Sequence, residues 1–78
     1  MRDVKVSKVE FLYVNQPKRR KIKVTLTNRT KIYIERCYES WYQYGGTKDE
    51  LYITMPIAER YNSWLHGESE LGPDDYMY

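Results

Sequence analysis

The sequence has 78 residues and a mass of 9.5 kDa, which suits a single small domain. We expect no deep catalytic cavity in so short a chain, and no stretch approaches the roughly 20 apolar residues of a membrane-spanning helix. The single cysteine excludes an internal disulfide and a cysteine-based metal cluster, and fits a reducing compartment. We therefore expect a cytoplasmic protein with no membrane partner.

Charge is divided unevenly along the chain. Residues 1–36 hold eleven Lys and Arg against three Asp and Glu, a net charge of +8, whereas residues 37–78 hold two against eight, a net charge of −6. This division indicates a polyanionic partner, a self-associating surface or an acidic tail. The alternative is that the two halves fold together and their charges cancel.

A first strand is predicted over residues 4–14. Val9, Phe11 and Tyr13 alternate with Lys8, Glu10 and Leu12, a period of two that places the first set on one side of a strand. The valines before them are out of phase with this set, so we predict a β-bulge near Ser7.

Two further strands follow a basic loop. Residues 15–20 predict a loop because they combine a proline with cations that resist burial. Apolar and polar residues then alternate over 21–27 and over 31–35, on either side of a turn at Asn28-Arg29. The apolar members of the two strands are Ile22, Val24, Leu26, Ile32 and Ile34. The first three strands are predicted to form a meander.

The aromatic stretch after residue 37 favours a strand by composition. A glycine-rich turn over 45–50 separates it from the short apolar segment 51–54. We predict that residues 41–44 and 51–54 pair as a second hairpin.

A helix is predicted over residues 56–66. Thr54 is a candidate N-cap, Pro56 suits a first helical turn, and Gly67 suits the end of the helix. The spacing of Ile57, Tyr61, Trp64 and Leu65 forms one apolar stripe.

The predicted fold class is α+β: a meander sheet of four to five antiparallel strands, with one C-terminal helix packed on one face. Residues 1–67 form the single domain, and residues 68–78 form an acidic flexible tail. The predicted core consists of Val9, Phe11, Ile22, Val24, Leu26, Ile32, Ile34, Ile57, Tyr61, Trp64 and Leu65. Truncating Trp64 should cost about 3–5 kcal/mol and unfold so small a domain.

The sequence holds no catalytic, metal or cofactor motif. Ser63 and the single histidine, His66, share a helical face, but no third group that would orient them as a catalytic pair is visible. We therefore predict a protein that is not an enzyme and needs no cofactor or metal.

A basic cluster lies at and near the predicted loop between the first two strands. Cations that project from the end of a sheet, with an aromatic side chain beside them, suit phosphates and stacked bases. The candidate nucleic-acid-binding residues are Lys18, Arg19, Arg20, Lys21, Lys23, Lys31 and Tyr33. Glu10 and Glu35 share the polar face of the sheet, so a merely solvated surface is the alternative.

The second compositional anomaly is the count of nine Tyr and two Trp. Such residues are enriched at protein interfaces, because they bury a large apolar body while a polar tip stays satisfied. The candidate interface residues are Trp41, Tyr42, Tyr44 and Tyr52. They are predicted to form either a homodimer surface or a docking surface for a host protein.

Two functions remain open from the sequence. The first is a small binding module whose basic hairpin contacts nucleic acid or a nucleic-acid-handling complex. The second is a phage or mobile-element protein that binds and inhibits or regulates a host protein through its aromatic hairpin and acidic tail. Retention on a polyanion and its salt dependence would separate them.

Overall fold

The computed structural model of the protein describes residues 3–16, 18–37 and 40–68. Its elements are β1 (Val6–Leu12), β2 (Lys21–Leu26), β3 (Lys31–Cys37), β4 (Ser40–Tyr44), α1 (Lys48–Arg60) and α2 (Asn62–Leu65). The strands lie in the sheet in chain order, and each is antiparallel to its neighbours. The predicted α+β class, a meander followed by a helical segment, is confirmed.

Apolar and polar residues alternate strictly along β2 and β3, which gives the sheet an apolar face and a polar face. One face packs against the helices and holds five aliphatic side chains that are almost completely buried, namely Ile22, Val24, Leu26, Ile32 and Ile34. We call it the core face, and the opposite side, which the helices do not cover, the open face. Residues that are paired in neighbouring strands have their side chains next to each other on the same face. Polar residues from all four strands therefore lie together on the open face.

The two helices close the core face with aromatic packing. Trp64 and Tyr61 are each 1% exposed, and the Phe11 ring from β1 meets both of them, with ring centroids 4.8 Å and 5.2 Å away. The approach of Phe11 to Trp64 is edge-to-face, which is a favourable geometry for aromatic pairs. The predicted core is confirmed, with Val9 and Phe11 partly buried at its margin.

A register shift between Val6 and Lys8 interrupts the pairing of β1 with β2. The β-bulge predicted near Ser7 is therefore confirmed, and it returns the apolar residues on both sides of it to the core.

The predicted second hairpin is wrong. β4 pairs with β3, and residues 51–54 belong to α1. The reason lies just before them, in a capping box that starts the helix. The Thr47 hydroxyl accepts from the Glu50 amide at 3.2 Å, and the Glu50 carboxylate accepts from the Thr47 amide at 2.9 Å.

The predicted start of the helix is wrong for the same reason. Pro56 lies inside α1 rather than in its first turn, where it removes the amide that would bond to the Tyr52 carbonyl. Thr54 is a fully buried helix residue and not an N-cap. Its hydroxyl donates to the Leu51 carbonyl at 2.9 Å and accepts from the Gln43 side chain at 2.6 Å, so it ties α1 to β4.

Arg20 also differs from expectation, since we predicted it to be exposed in a basic loop. Its side chain is 8% exposed, and its guanidinium lies 4.8 Å from the Trp64 ring centroid on the core face. Burial, together with the nearby Arg36, lowers the pKa of Arg20 from its ordinary value. Arg20 is in phase with Ile22, so the alternation of β2 extends back to it and directs it toward the helices.

Of the predicted acidic tail, only Glu68 lies within the described residues, and the domain boundary after residue 67 stays a prediction. Within those residues, neither helix has the length and apolar character needed to cross a membrane.

The two neighbouring arginines of the loop are predicted to differ in their effect on stability. Arg20→Ala should lower the free energy of unfolding by about 1–2 kcal/mol, because it removes a cation over Trp64 and the stem packed there. Arg19→Ala should lower it by less than about 1 kcal/mol, because its contacts with Tyr13 and Glu35 are made by an exposed side chain. Urea denaturation of both variants checks this, and equal losses would contradict it.

The capping box predicts a pH dependence. Hydrogen bonds from the Thr47 amide and the Asn28 side chain lower the pKa of Glu50 to about 2, below its ordinary value of 4.5. Ionised Glu50 therefore stabilises the fold fully at pH values above 4.5. Its contribution to the free energy of unfolding is lost as the pH falls toward 2. The melting temperature of Glu50→Gln should lie below that of the native protein at pH 6, and the gap should close near pH 2. Glu59→Gln, at an exposed position of the same helix, is the control and should show no closing gap.

Candidate nucleic-acid interface

Three rows of side chains on the open face run across three or four strands, and one further pair, Cys37 and Ser40, lies beside them on β3 and β4. The row nearest the β1–β2 loop holds Leu12, Lys21, Glu35 and Tyr42; the middle row holds Glu10, Lys23, Tyr33 and Tyr44; the far row holds Lys8, Thr25 and Lys31. Apart from Leu12 and Thr25, every member of these rows is charged or is a tyrosine.

Three tyrosines form a continuous array on this face. The Tyr33 and Tyr44 ring centroids are 5.4 Å apart with an interplanar angle of 24°, and those of Tyr44 and Tyr42 are 5.7 Å apart at 25°. Tyr42 remains 46% exposed and Tyr44 37% exposed. The array therefore presents aromatic surface to solvent instead of burying it.

Lys21 lies against the array. Its ammonium nitrogen is 4.6 Å from the Tyr33 ring centroid and 5.5 Å from that of Tyr44. A hydrogen bond with Tyr44 raises the pKa of Lys21 above its ordinary value, and the nearby Glu35 carboxylate acts in the same direction. Lys21 is thus held as a cation beside two stacked rings.

Glu35 is the polar centre of the row nearest the loop. One of its carboxylate oxygens accepts from the Tyr44 hydroxyl at 3.1 Å and from the Tyr42 hydroxyl at 3.4 Å. The same carboxylate lies 3.7 Å from Arg19 Nε and 3.9 Å from Lys21 Nζ. Desolvation, and then the charge of Glu35, raises the pKa of Tyr42 above its ordinary value. Two hydroxyl donors and two cations therefore converge on one anionic group.

The β1–β2 loop adds a second aromatic–cation pair next to this row. The Arg19 guanidinium lies 4.1 Å from the Tyr13 ring centroid. The backbone of Tyr13 has a left-handed φ of 56°, and its carbonyl accepts from the Gln16 amide at 3.1 Å, which turns the chain into the loop. Lys18 is exposed in the same loop.

Positive charge predominates over the open face and its loop. Six cations, Lys8, Lys18, Arg19, Lys21, Lys23 and Lys31, stand against two carboxylates, those of Glu10 and Glu35. The Glu10 carboxylate is shared between Lys8 and Lys23, at 3.8 Å and 3.9 Å. An excess of four positive charges thus remains, which creates an attractive potential for a polyanion.

The structure brings together most of the residues predicted to bind nucleic acid. Lys21, Lys23, Lys31 and Tyr33 share the open face, and Lys18 and Arg19 lie in the adjoining loop. Arg20 does not join them, because it lies on the core face.

The four residues predicted as a protein interface do not share one surface. Tyr42 and Tyr44 lie on the open face, whereas Trp41 is half-buried and packs against the core. Tyr52 is 71% exposed on α1. A role for these residues in protein binding stays a prediction.

Two features of the site lie outside the sequence-based prediction. The strand predicted over residues 4–14 includes Tyr13, although its proximity to the cation run suggests a contact with Arg19. The predicted second hairpin separates Tyr42 and Tyr44 from the rest of the site. Their period-two spacing would have set them beside Tyr33 if β4 had been paired with β3.

Within the described segments, no three His, Cys, Asp or Glu side chains lie close enough to hold a metal ion. Comparison of the chain with protein-family models, with curated proteins and with solved structures found no match.

Proposed function

We propose that this protein is a small, non-enzymatic binding module that takes single-stranded nucleic acid on the open face of its sheet. The observation that carries the proposal is the position of Lys21 against the stacked rings of Tyr33 and Tyr44, the second of which is exposed. One nucleotide could bind both groups at once, with its phosphate against the lysine ammonium and its base stacked on a tyrosine ring.

The chemistry of the face suits a flexible strand. Bases stack on exposed aromatic rings, and each such contact contributes about 1–3 kcal/mol, while lysine and arginine side chains follow the phosphates. The array extends from Tyr33 across β4 to Tyr42, and the cations lie beside it on β2 and in the loop. A strand could therefore cross the sheet with its bases on β3 and β4.

Single strands fit this face better than duplexes. The bases of a duplex are already stacked on one another and offer the protein only edges and phosphates. The tyrosine array would then contribute little, because its rings need an unpaired base. RNA and DNA both supply such bases, and single-stranded forms of both belong in the test.

The two glutamates limit the strength of binding. Glu10 forms ion pairs with Lys8 and Lys23, and Glu35 forms ion pairs with Arg19 and Lys21. A phosphate that binds these cations must therefore compete with a carboxylate. We therefore expect binding that depends steeply on salt and is weaker than six unpaired cations would give.

The phosphate contacts are tested with two lysines whose loss changes net charge equally. Lys23→Ala should weaken binding to a single-stranded oligonucleotide and reduce the salt slope by roughly 0.7, the value expected for one phosphate contact on a single strand. Lys48→Ala, at an exposed position on α1, is the control and should leave the slope unchanged. Fluorescence anisotropy over a salt titration measures both slopes. Identical slopes would contradict phosphate contact at the open face.

The stacking contacts are tested with two exposed tyrosines. Tyr44→Thr introduces a β-branched residue that suits a strand and removes the ring, and should cost about 1–3 kcal/mol of binding free energy. Tyr52→Ala removes an exposed ring from α1 and should cost nothing. Equal losses, or a preference for duplex over single strand, would rule out base stacking on this face.

The second candidate function is the regulation of a host protein. Tyr42 and Tyr44 favour it, since they leave aromatic surface exposed with hydroxyl groups that a protein could also bind. This candidate replaces the first if no oligonucleotide, single- or double-stranded, binds at low salt.

A further inference from the structure

The two edges of the sheet differ in how far they are protected against pairing with another strand. β1 forms one edge. A bulge disrupts its register between Val6 and Lys8, and it carries the charges of Lys8 and Glu10. Bulges and charged side chains are two of the devices by which natural sheets block edge-to-edge association.

β4 forms the other edge and carries none of these devices. Its sequence, Ser-Trp-Tyr-Gln-Tyr, has no charged residue and no proline, and its register with β3 is uninterrupted over all five residues. Among the described residues β4 has a strand neighbour on one side only. It is also the strand that keeps two tyrosines exposed.

We propose that β4 pairs with β4 of a second copy of the chain, antiparallel and about a two-fold axis at Tyr42. Tyr42 is the central residue of the strand, so this axis uses its full length. Tyr42 then faces Tyr42 of the partner subunit, and Trp41 faces Gln43 of the partner subunit. Each contact away from the axis occurs twice, as in an isologous interface.

Self-pairing suits the chemistry of this edge. An uncharged strand meets itself without opposing like charges, which is the usual penalty when two identical strands are placed together. On the open face, the array of Tyr33, Tyr44 and Tyr42 would lie next to the same array of the partner subunit, with the two Tyr42 rings in contact at the axis. Two four-stranded sheets would become one eight-stranded sheet, with both open faces on the same side.

The length of β4 sets the expected strength of the dimer. Two five-residue strands bury much less than the roughly 1,200–2,000 Å² of a stable protein interface. We therefore expect a weak dimer that forms at protein concentrations on the order of 100 μM.

Sedimentation velocity, without nucleic acid and from about 10 μM to about 1 mM, tests the pairing. The native protein should shift from monomer to dimer over this range. Tyr42→Lys sets two cations opposite each other at the axis and removes the ring pair, so the dissociation constant should rise roughly tenfold or more. Tyr52→Lys introduces the same charge on α1 and is the control, with an unchanged dissociation constant.

Amide hydrogen exchange of the native protein provides a second test that needs no variant. Amides of β4 that exchange rapidly in dilute solution should become protected as concentration rises, because their N–H groups gain a strand partner. Amides of the β1 edge should keep their exchange rates.

Three results would overturn the proposal. The first is a native protein that stays monomeric over the whole range. The second is a dimer that Tyr52→Lys weakens as much as Tyr42→Lys, which would place the contact on the helix. The third is concentration-dependent protection at β1 in place of β4. Because no oligonucleotide is present, none of these results bears on the proposed nucleic-acid binding.

Discussion

The register between β2 and β3 is the constraint on which both faces of this molecule depend. Val24 pairs with Ile32 on the core face, and the next pair along, Lys23 with Tyr33, lies on the open face. A slip of one residue in either strand would exchange these sets, placing lysine under the helices and isoleucine in solvent. The hydrophobic core therefore also fixes the positions of the cations and rings on the opposite face of the sheet.

The parts of the fold that could be predicted are those in which local pattern and tertiary environment agree. The alternation along β2 and β3 is a local signal, and it correctly predicts the meander and its core. Residues 51–54 show where the two disagree. Leu-Tyr-Ile-Thr has the composition of a strand, but a cap at Thr47 and burial against the sheet make it a helix.

The site was only partly predictable, because its cations and its tyrosines lie on the open face for different reasons. The cations of β2 follow from the alternation of that strand, whereas Tyr42 and Tyr44 reach it only because β4 is adjacent to β3. Adjacency of strands is a long-range property that composition does not carry. The burial of Arg20 was not predicted, although a local signal for it exists. Arg20 is in phase with Ile22, but the run of four cations from Lys18 to Lys21 indicates an exposed loop.

The side chain of Glu50 joins two parts of the chain that are distant in sequence. One of its oxygens accepts from the Thr47 amide, and the other accepts from the Asn28 side chain at 2.7 Å, in the turn between β2 and β3. The capping box itself is local, but the bond from Asn28 to Glu50 forms only when the turn of the meander is in place. This contact couples the two elements, because it requires both the helix and the finished turn between β2 and β3. Separation of α1 from the sheet would break the same contacts, so helix and sheet form one cooperative unit.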